Sequence, residues 1–470
     1  MIARKKEQKV LNEAYGDTNS QFIAIYGRRR IGKTYLVRET FEGRFSFRHT
    51  GLARADKKLQ IAEFKKSLKK FGMKDLSPIE DWYTAFDRLE ELLEAQPDGR
   101  KVVFLDEVPW MDTGRGEFVS ALEHFWNGWA DYRKDVLLII CGSATSWIID
   151  KVINDKGGLH NRVTRNIFLE PFTLGECEEY VLARGWKMSR MEIAETYMAI
   201  GGVPYYWTLL EKGNSVAQNF DMLFFAPQAK LKDEFALLYR SLFRRPEGHL
   251  RIVEALGRKK IGMTIDELVK FAGVAYNGHL VKMLTELEQC GFIRRYNGFG
   301  GERSPDVFQL VDNFTLFYFK FLDGEANPDE NFWKNHVLSP VVYNWRGLAF
   351  ERLCLQHIAQ IKQKLGISGV STKVYAWAGK TPGGKGTQID LLIDRADNVV
   401  NVCEMKFSNG LYEITEAEDL RLATRLEAFA NAAGGNRSVH LTMVTSRGLV
   451  ENSYSRNVQS QITLNDLFFN

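Results

Sequence analysis

The apolar run Gln21-Phe22-Ile23-Ala24-Ile25-Tyr26 leads straight into Gly27-Arg28-Arg29-Arg30-Ile31-Gly32-Lys33-Thr34. Tyr35, Leu36, Val37 and Phe41 then recur near a helical period. A short apolar run closed by glycine predicts a buried strand, and the spacing after Thr34 predicts a helix. A loop between two such elements, with glycine at both ends and Lys-Thr at the helix start, is built to cradle phosphate. Backbone N–H groups of residues 28–34 can face the anion, and the helix N-terminus adds positive potential. The expected ATP-binding set is therefore Gly27, Arg28, Arg29, Arg30, Ile31, Gly32, Lys33, Thr34 and Tyr35. Lys33 is expected on the β- and γ-phosphates, and the Thr34 hydroxyl on Mg²⁺. The three arginines stand where no particular side chain is required, and they are expected to point outward.

A second apolar strand, Lys101-Val102-Val103-Phe104-Leu105, ends in Asp106-Glu107. Adjacent acids after a strand can cap a helix, but with a phosphate loop upstream they acquire a chemical reading. Asp106 becomes the outer Mg²⁺ partner and Glu107 the general base for water. A third strand, Val136 to Cys141, is followed by Gly142-Ser143-Ala144-Thr145. Ser143 is the better placed residue to contact the γ-phosphate or the attacking water, with Thr145 as the alternative.

Strands and helices alternate to about residue 170, the pattern of a parallel α/β sheet. The expected domains are an ATPase core over 1–172, a helical lid over 173–243, a winged helix-turn-helix over 244–325 and an α/β nuclease-like domain over 326–470. Residues 173–243 read as helices interrupted by Gly201-Gly202-Val203-Pro204, a turn of the kind glycine and proline supply. Three helices then follow, at 249–256, 265–271 and 277–289. A hairpin, Phe292 to Tyr296 with Val307 to Val311, encloses Gly298, Gly300 and Gly301. Three helices and a two-stranded wing spell a winged helix. Residues 241–260 carry six basic and two acidic side chains, so a phosphate-contacting surface is expected there, with His279 and Lys282 on the recognition helix. A protein-contact role is the alternative.

The C-terminal segment places Asp390 inside the apolar strand Thr387 to Ile393, and a short turn leads to Val399 to Lys406. In a hairpin these strands are neighbours, and Glu404 and Lys406 share one face. Asp390 and Glu404 are then candidate ligands for Mg²⁺ or Mn²⁺, with Lys406 activating water for phosphodiester hydrolysis. Glu351, near the start of an apolar helix, is a further candidate ligand.

Bulk properties narrow the classes. A formal charge of +4 over 470 residues excludes a global polyelectrolyte, so any nucleic-acid surface must be local. Five scattered cysteines without close pairing argue against a disulfide framework or zinc site and for a reducing compartment. No apolar run reaches membrane-spanning length, so the expectation is a cytoplasmic protein with no membrane partner.

The motifs GRRRIGKT, VVFLDEV, CGSATS, HNRVTRNIFLEPF and IGGVP resemble the archaeal/bacterial ATPase family among the AAA+/STAND-related P-loop enzymes. The resemblance spans roughly residues 1–235. The tail, with GLAFE, TQIDLL and CEMKFS, is similar to the domain of unknown function that habitually follows this ATPase, and its core resembles the PD-(D/E)XK nuclease superfamily. The proline of a PD-type start is absent, since Gln388 and Ile389 precede Asp390. The resemblance implies that Arg162 is an arginine finger or sensor, with Arg165 as the alternative; a finger acting in trans would have the ATP-bound chain assemble with copies of itself. It leaves two readings: an ATP-driven switch acting on DNA, or a signalling or scaffold ATPase whose tail is an inactive protein-contact module.

Overall fold

The computed structural model describes all residues except 1, 75–76, 115–116, 155–156, 160, 244, 298, 300–304, 325–328, 382, 435–436 and 470. The chain divides into two units, Met1–Glu170 and Pro171–Asn470.

In the first unit five strands, β1 (Gln21–Tyr26), β2 (Phe45–Thr50), β3 (Lys101–Asp106), β4 (Val136–Gly142) and β5 (Arg165–Phe168), form one parallel sheet in the order β2-β3-β4-β1-β5. β3 and β4 are buried along their whole length, which is why they read as continuous apolar runs rather than alternating ones. Successive residues serve opposite faces. Phe22, Ala24, Val103, Leu105, Leu138 and Ile140 pack into one core. Ile23, Ile25, Val102, Phe104, Leu137 and Ile139 pack into the other. Helices Lys57–Lys70 and Trp82–Glu94 are each opened by an aspartate (Asp56, Asp81) that caps the helix through its side chain. Because the strands are parallel, the carboxyl ends of β1, β3 and β4 lie side by side, and Gly27, Asp106 and Ser143 meet at one edge. In open α/β sheets this is the edge where ligands bind.

The second unit opens with helices Leu174–Ala183, Arg190–Ile200, Pro204–Thr208, Val216–Phe220 and Glu234–Leu242. They are fastened to later segments of the same unit: Asn313 Nδ2 donates to the Tyr197 carbonyl at 2.9 Å, and Arg346 bonds Glu195 at 2.6 Å. At the turn, Gly201 has φ 62°. A Cβ on Gly202 would stand 1.9 Å from the Phe172 carbonyl oxygen, a backbone atom with no rotamer to yield. Gly202→Ala is therefore expected to lower stability by about 1–3 kcal/mol, the scale of an overpacked interior. Thermal unfolding of the full chain checks this.

Helices Glu247–Gly257, Ile265–Ala272 and Gly278–Gln289 follow, then an antiparallel pair, β6 (Ile293–Asn297) and β7 (Asp306–Leu310). The hairpin glycines Gly298, Gly300 and Gly301 lie outside the described residues. A second sheet, in the order β12-β11-β10-β9-β8, closes the unit. It comprises β8 (Thr372–Lys380), β9 (Gly386–Arg395), β10 (Val399–Lys406), β11 (Ser438–Thr445) and β12 (Ser460–Thr463). β8, β9 and β10 are antiparallel neighbours, whereas β10, β11 and β12 run parallel. Among the described residues, no helix is long and apolar enough to cross a membrane.

Candidate nucleotide and phosphodiester sites

The phosphate loop owes its shape to glycine at two positions. Gly27 has φ 136°, and a Cβ there would lie 2.5 Å from the Leu169 carbonyl oxygen. Gly32, the residue before helix Lys33–Thr40, has φ 87°. Both conformations are ones that a side chain rarely adopts. Lys33 is buried, and its ammonium donates to the carbonyls of Gly27 and Arg28 at 2.9 Å each and to Ser143 Oγ at 3.4 Å. One expectation fails here. Arg29 is exposed, but Arg28 is only 4 % exposed. The Arg28 side chain is thus packed into the protein rather than directed to solvent. Arg30 has a left-handed φ of 72°, Ile31 is a core residue, and Tyr35 stands exposed beyond the loop.

The two acids behave differently because their backbones do. Asp106 ends β3 and is buried, and it accepts from Thr34 Oγ1 at 2.9 Å and from Cys141 Sγ at 2.6 Å. Burial pushes its carboxyl above the usual range, against the two donors. Glu107 has left the strand. Its φ of 51° and ψ of 45° are left-handed, a conformation that is uncommon for glutamate and gathers at functional positions. This turn swings the Glu107 carboxylate towards β4, where it accepts from Ser143 N at 3.0 Å and from Ser143 Oγ at 2.5 Å. Ser143 thus touches both the lysine and the candidate base. Thr145 is fully buried and begins the following helical turn.

Arg162 lies elsewhere. It precedes β5, whose Arg165 is level with Ile23 of β1, and it is half exposed in an ion pair with Asp131 at 3.0 Å. That is the amino end of the sheet, roughly 15–20 Å along β1 from the loop at about 3.3 Å per residue. Arg162 cannot reach phosphates held by its own loop, so a finger role would require a second copy of the chain. Arg165 pairs with Glu13 and Asp17 at that same end.

A cleft of about 560 Å³ in the second unit is lined by Lys260, Glu351, Asp390, Glu404, Lys406 and Arg425, among others. β9 and β10 pair from Val400 with Asp394 to Cys403 with Leu391, and Asp390 and Glu404, just beyond the last paired rung, both line the cleft. The expected metal set is nevertheless not assembled. Among the described residues, no three His, Cys, Asp or Glu side chains are gathered so as to hold a metal ion. The carboxylates are each taken by a cation of the chain. Lys260 Nζ lies 2.5 Å from Glu351 and 3.2 Å from Asp390. Lys406 Nζ lies 3.0 Å from Glu404 and 3.3 Å from Glu418, and Arg425 also binds Glu404. Burial disfavours a charged Lys260, but Asp390 and Glu351 more than offset it and hold the ammonium above the ordinary lysine range. Lys406 is held up in the same way by Glu404 and Glu418.

Several of these residues escape a reading of the sequence. Cys141 looked like strand filling. Lys260 belonged to the basic run assigned to phosphate. Glu418, Arg421 and Arg425 repeat at helical spacing within Glu416–Ala433, a signal that one face of that helix is charged, though not that it faces β10.

A five-stranded parallel sheet with a glycine-bounded loop after β1, lysine and threonine at the helix start and a buried acid closing β3 defines the first unit as a P-loop ATPase domain. The comparisons agree. Residues 1–210 match the family described as an ATPase domain predominantly from Archaea. The chain is 24% identical over 402 residues to an uncharacterized protein of Methanocaldococcus jannaschii, covering 83% of each chain. Its fold is similar to that of the Walker-type ATPase of Pyrococcus abyssi, with a TM-score of 0.50 and 17% identity over 67% of this chain and 95% of that one.

Proposed function

We propose that the chain hydrolyses ATP with Glu107 as general base and uses the cycle as a switch acting on DNA. The observation that carries the ATPase half is the network joining Lys33, Ser143 and Glu107, with Thr34 bonded to Asp106 beside it. Phosphates in the loop would draw Lys33 from the Gly27 and Arg28 carbonyls. Glu107 would take a proton from water as its oxygen attacks the γ-phosphorus, and the bridging oxygen would leave with ADP. Thr34 and Asp106 are hard oxygen donors 2.9 Å apart at a helix start. They fit Mg²⁺, which when bound neutralises charge on the β- and γ-phosphates.

For the DNA half, support comes from three helices followed by an antiparallel pair, with Arg245, Arg251 and His279 around a cavity of about 280 Å³ at the start of helix Gly278–Gln289. In this reading the helices and hairpin are a winged helix, and the C-terminal sheet is a nuclease-like domain whose cleft meets the phosphodiester. Titration of full-length protein with duplex DNA at increasing salt tests it. With about six phosphate contacts, affinity should fall roughly 10³-fold between 50 and 200 mM salt. Arg251→Ala with Lys282→Ala should flatten that slope by about one to two. Absent or salt-insensitive binding would leave a scaffold ATPase with a protein-contact tail. The pairing of every carboxylate in the cleft with a cation favours that second reading.

A further inference from the structure

The cleft between Glu351 and Asp390 already holds a cation, and the chain itself supplies it. Lys260 arrives from the turn after helix Glu247–Gly257, 130 residues before Asp390 in sequence. Its ammonium contacts one oxygen of each carboxylate, at 2.5 and 3.2 Å. A divalent metal drawn to the same two carboxylates would compete with this ammonium for their negative charge. Lys406 and Arg425 sit differently: both are on Glu404, and Lys406 is where a lysine beside a metal would be wanted.

Lys260 is not a loose surface side chain that fell into a hole. Its backbone carbonyl accepts from Gln309 Nε2 at 2.6 Å, and the next carbonyl, of Ile261, accepts from the Tyr296 hydroxyl. Gly262 has φ 85°, and a Cβ there would lie 2.3 Å from the Phe308 carbonyl oxygen; Met263 exchanges two backbone hydrogen bonds with Phe308, each 2.8 Å. The turn is thereby clamped to the β6–β7 hairpin. That hairpin is in turn docked on the C-terminal sheet. Phe299 packs edge-on against Phe429 and Tyr375, with ring centroids 4.9 and 5.6 Å apart, and its N–H donates to the Ala376 carbonyl. Backbone and aromatic contacts together set where the ammonium lies.

We propose that Lys260 is a tethered cation occupying the position a divalent metal would take between Glu351 and Asp390, so that the cleft accepts metal only when the 258–263 turn withdraws. The inference rests on the nuclease-like reading of the cleft given above and adds its regulation. A metal and an ammonium cannot share the pair, because two positive charges a few ångströms apart repel strongly in a partly buried site. Loading is therefore an exchange of one cation for another, driven by whatever moves the hairpin. Helices 247–289 and this hairpin are the proposed DNA-contacting segment, so the same segment would carry both the recognition surface and the plug.

Mn²⁺ binding to the full-length protein without nucleotide, read from the electron paramagnetic resonance signal of the free ion, tests this. Wild type and Lys260→Arg should show no Mn²⁺ that depends on Asp390. Lys260→Gln should bind one additional Mn²⁺ at concentrations at least about tenfold below any at which wild type begins to fill that site, and adding Asp390→Asn should remove it. Lys260→Ser replaces Lys260→Gln if the latter does not fold. An Asp390-dependent Mn²⁺ held equally well by wild type and Lys260→Gln would overturn the plug and leave the metal-dependent reading of the cleft standing. No Asp390-dependent Mn²⁺ in any variant would overturn that reading and the plug with it.

Discussion

Replacing Glu107 by glutamine is expected to slow ATP turnover by about 10²-fold or more while leaving ATP affinity within about twofold, the signature of losing a general base and little else. Glutamine keeps the shape of the side chain and can still bond Ser143, accepting from its N–H and donating to its hydroxyl. The left-handed backbone at φ 51° is the same for either residue, so no new strain distinguishes the variant. What is lost is the second carboxylate oxygen and its ability to take a proton. Steady-state turnover beside calorimetric ATP binding separates the two quantities. Unchanged turnover would move the base to another residue. A parallel loss of binding would mean that Glu107 holds the nucleotide rather than activating water.

Lys33→Ala should weaken ATP binding at least about 100-fold. The ammonium makes two bonds to loop carbonyls at 2.9 Å in the resting protein, and it would exchange these neutral partners for charged phosphate oxygens. Two charge-assisted bonds at about 1.5 kcal/mol each correspond to roughly that loss. The same carbonyls lose their donor in the variant, so thermal unfolding should accompany the calorimetry. A folded Lys33→Ala protein that binds ATP as wild type does would refute the loop as the nucleotide site. The two variants form a pair, one failing at binding and the other at chemistry.

The nucleotide loop was legible because its chemistry is contiguous. Glycine, lysine and hydroxyl must follow one another within eight residues to wrap a phosphate chain, and the strand before and helix after have local patterns of their own. Asp106 and Glu107 were legible for a similar reason, since acids closing an apolar strand stand out. Asp390 and Glu404 stand out in the same way, as acids within apolar strands joined by a short turn.

Partners far apart in the chain were decided only by the tertiary structure. Strand order placed β4 between β1 and β3, and this alone brings Ser143 to Lys33 and Glu107 across 110 and 36 positions. The parallel pairing of β5 with β1 left Arg162 at the amino end of the sheet, where a motif-based role within its own chain has no geometry. A hairpin docking through Phe299 delivered Lys260 to Glu351 and Asp390, and one helix face delivered Arg425 to Glu404. By itself, then, the sequence determined which residues carry phosphate chemistry and which strands bear them, because local pattern encodes both. Which cation stands on which carboxylate was decided by the folded chain, because that depends on distances between segments that no local pattern contains.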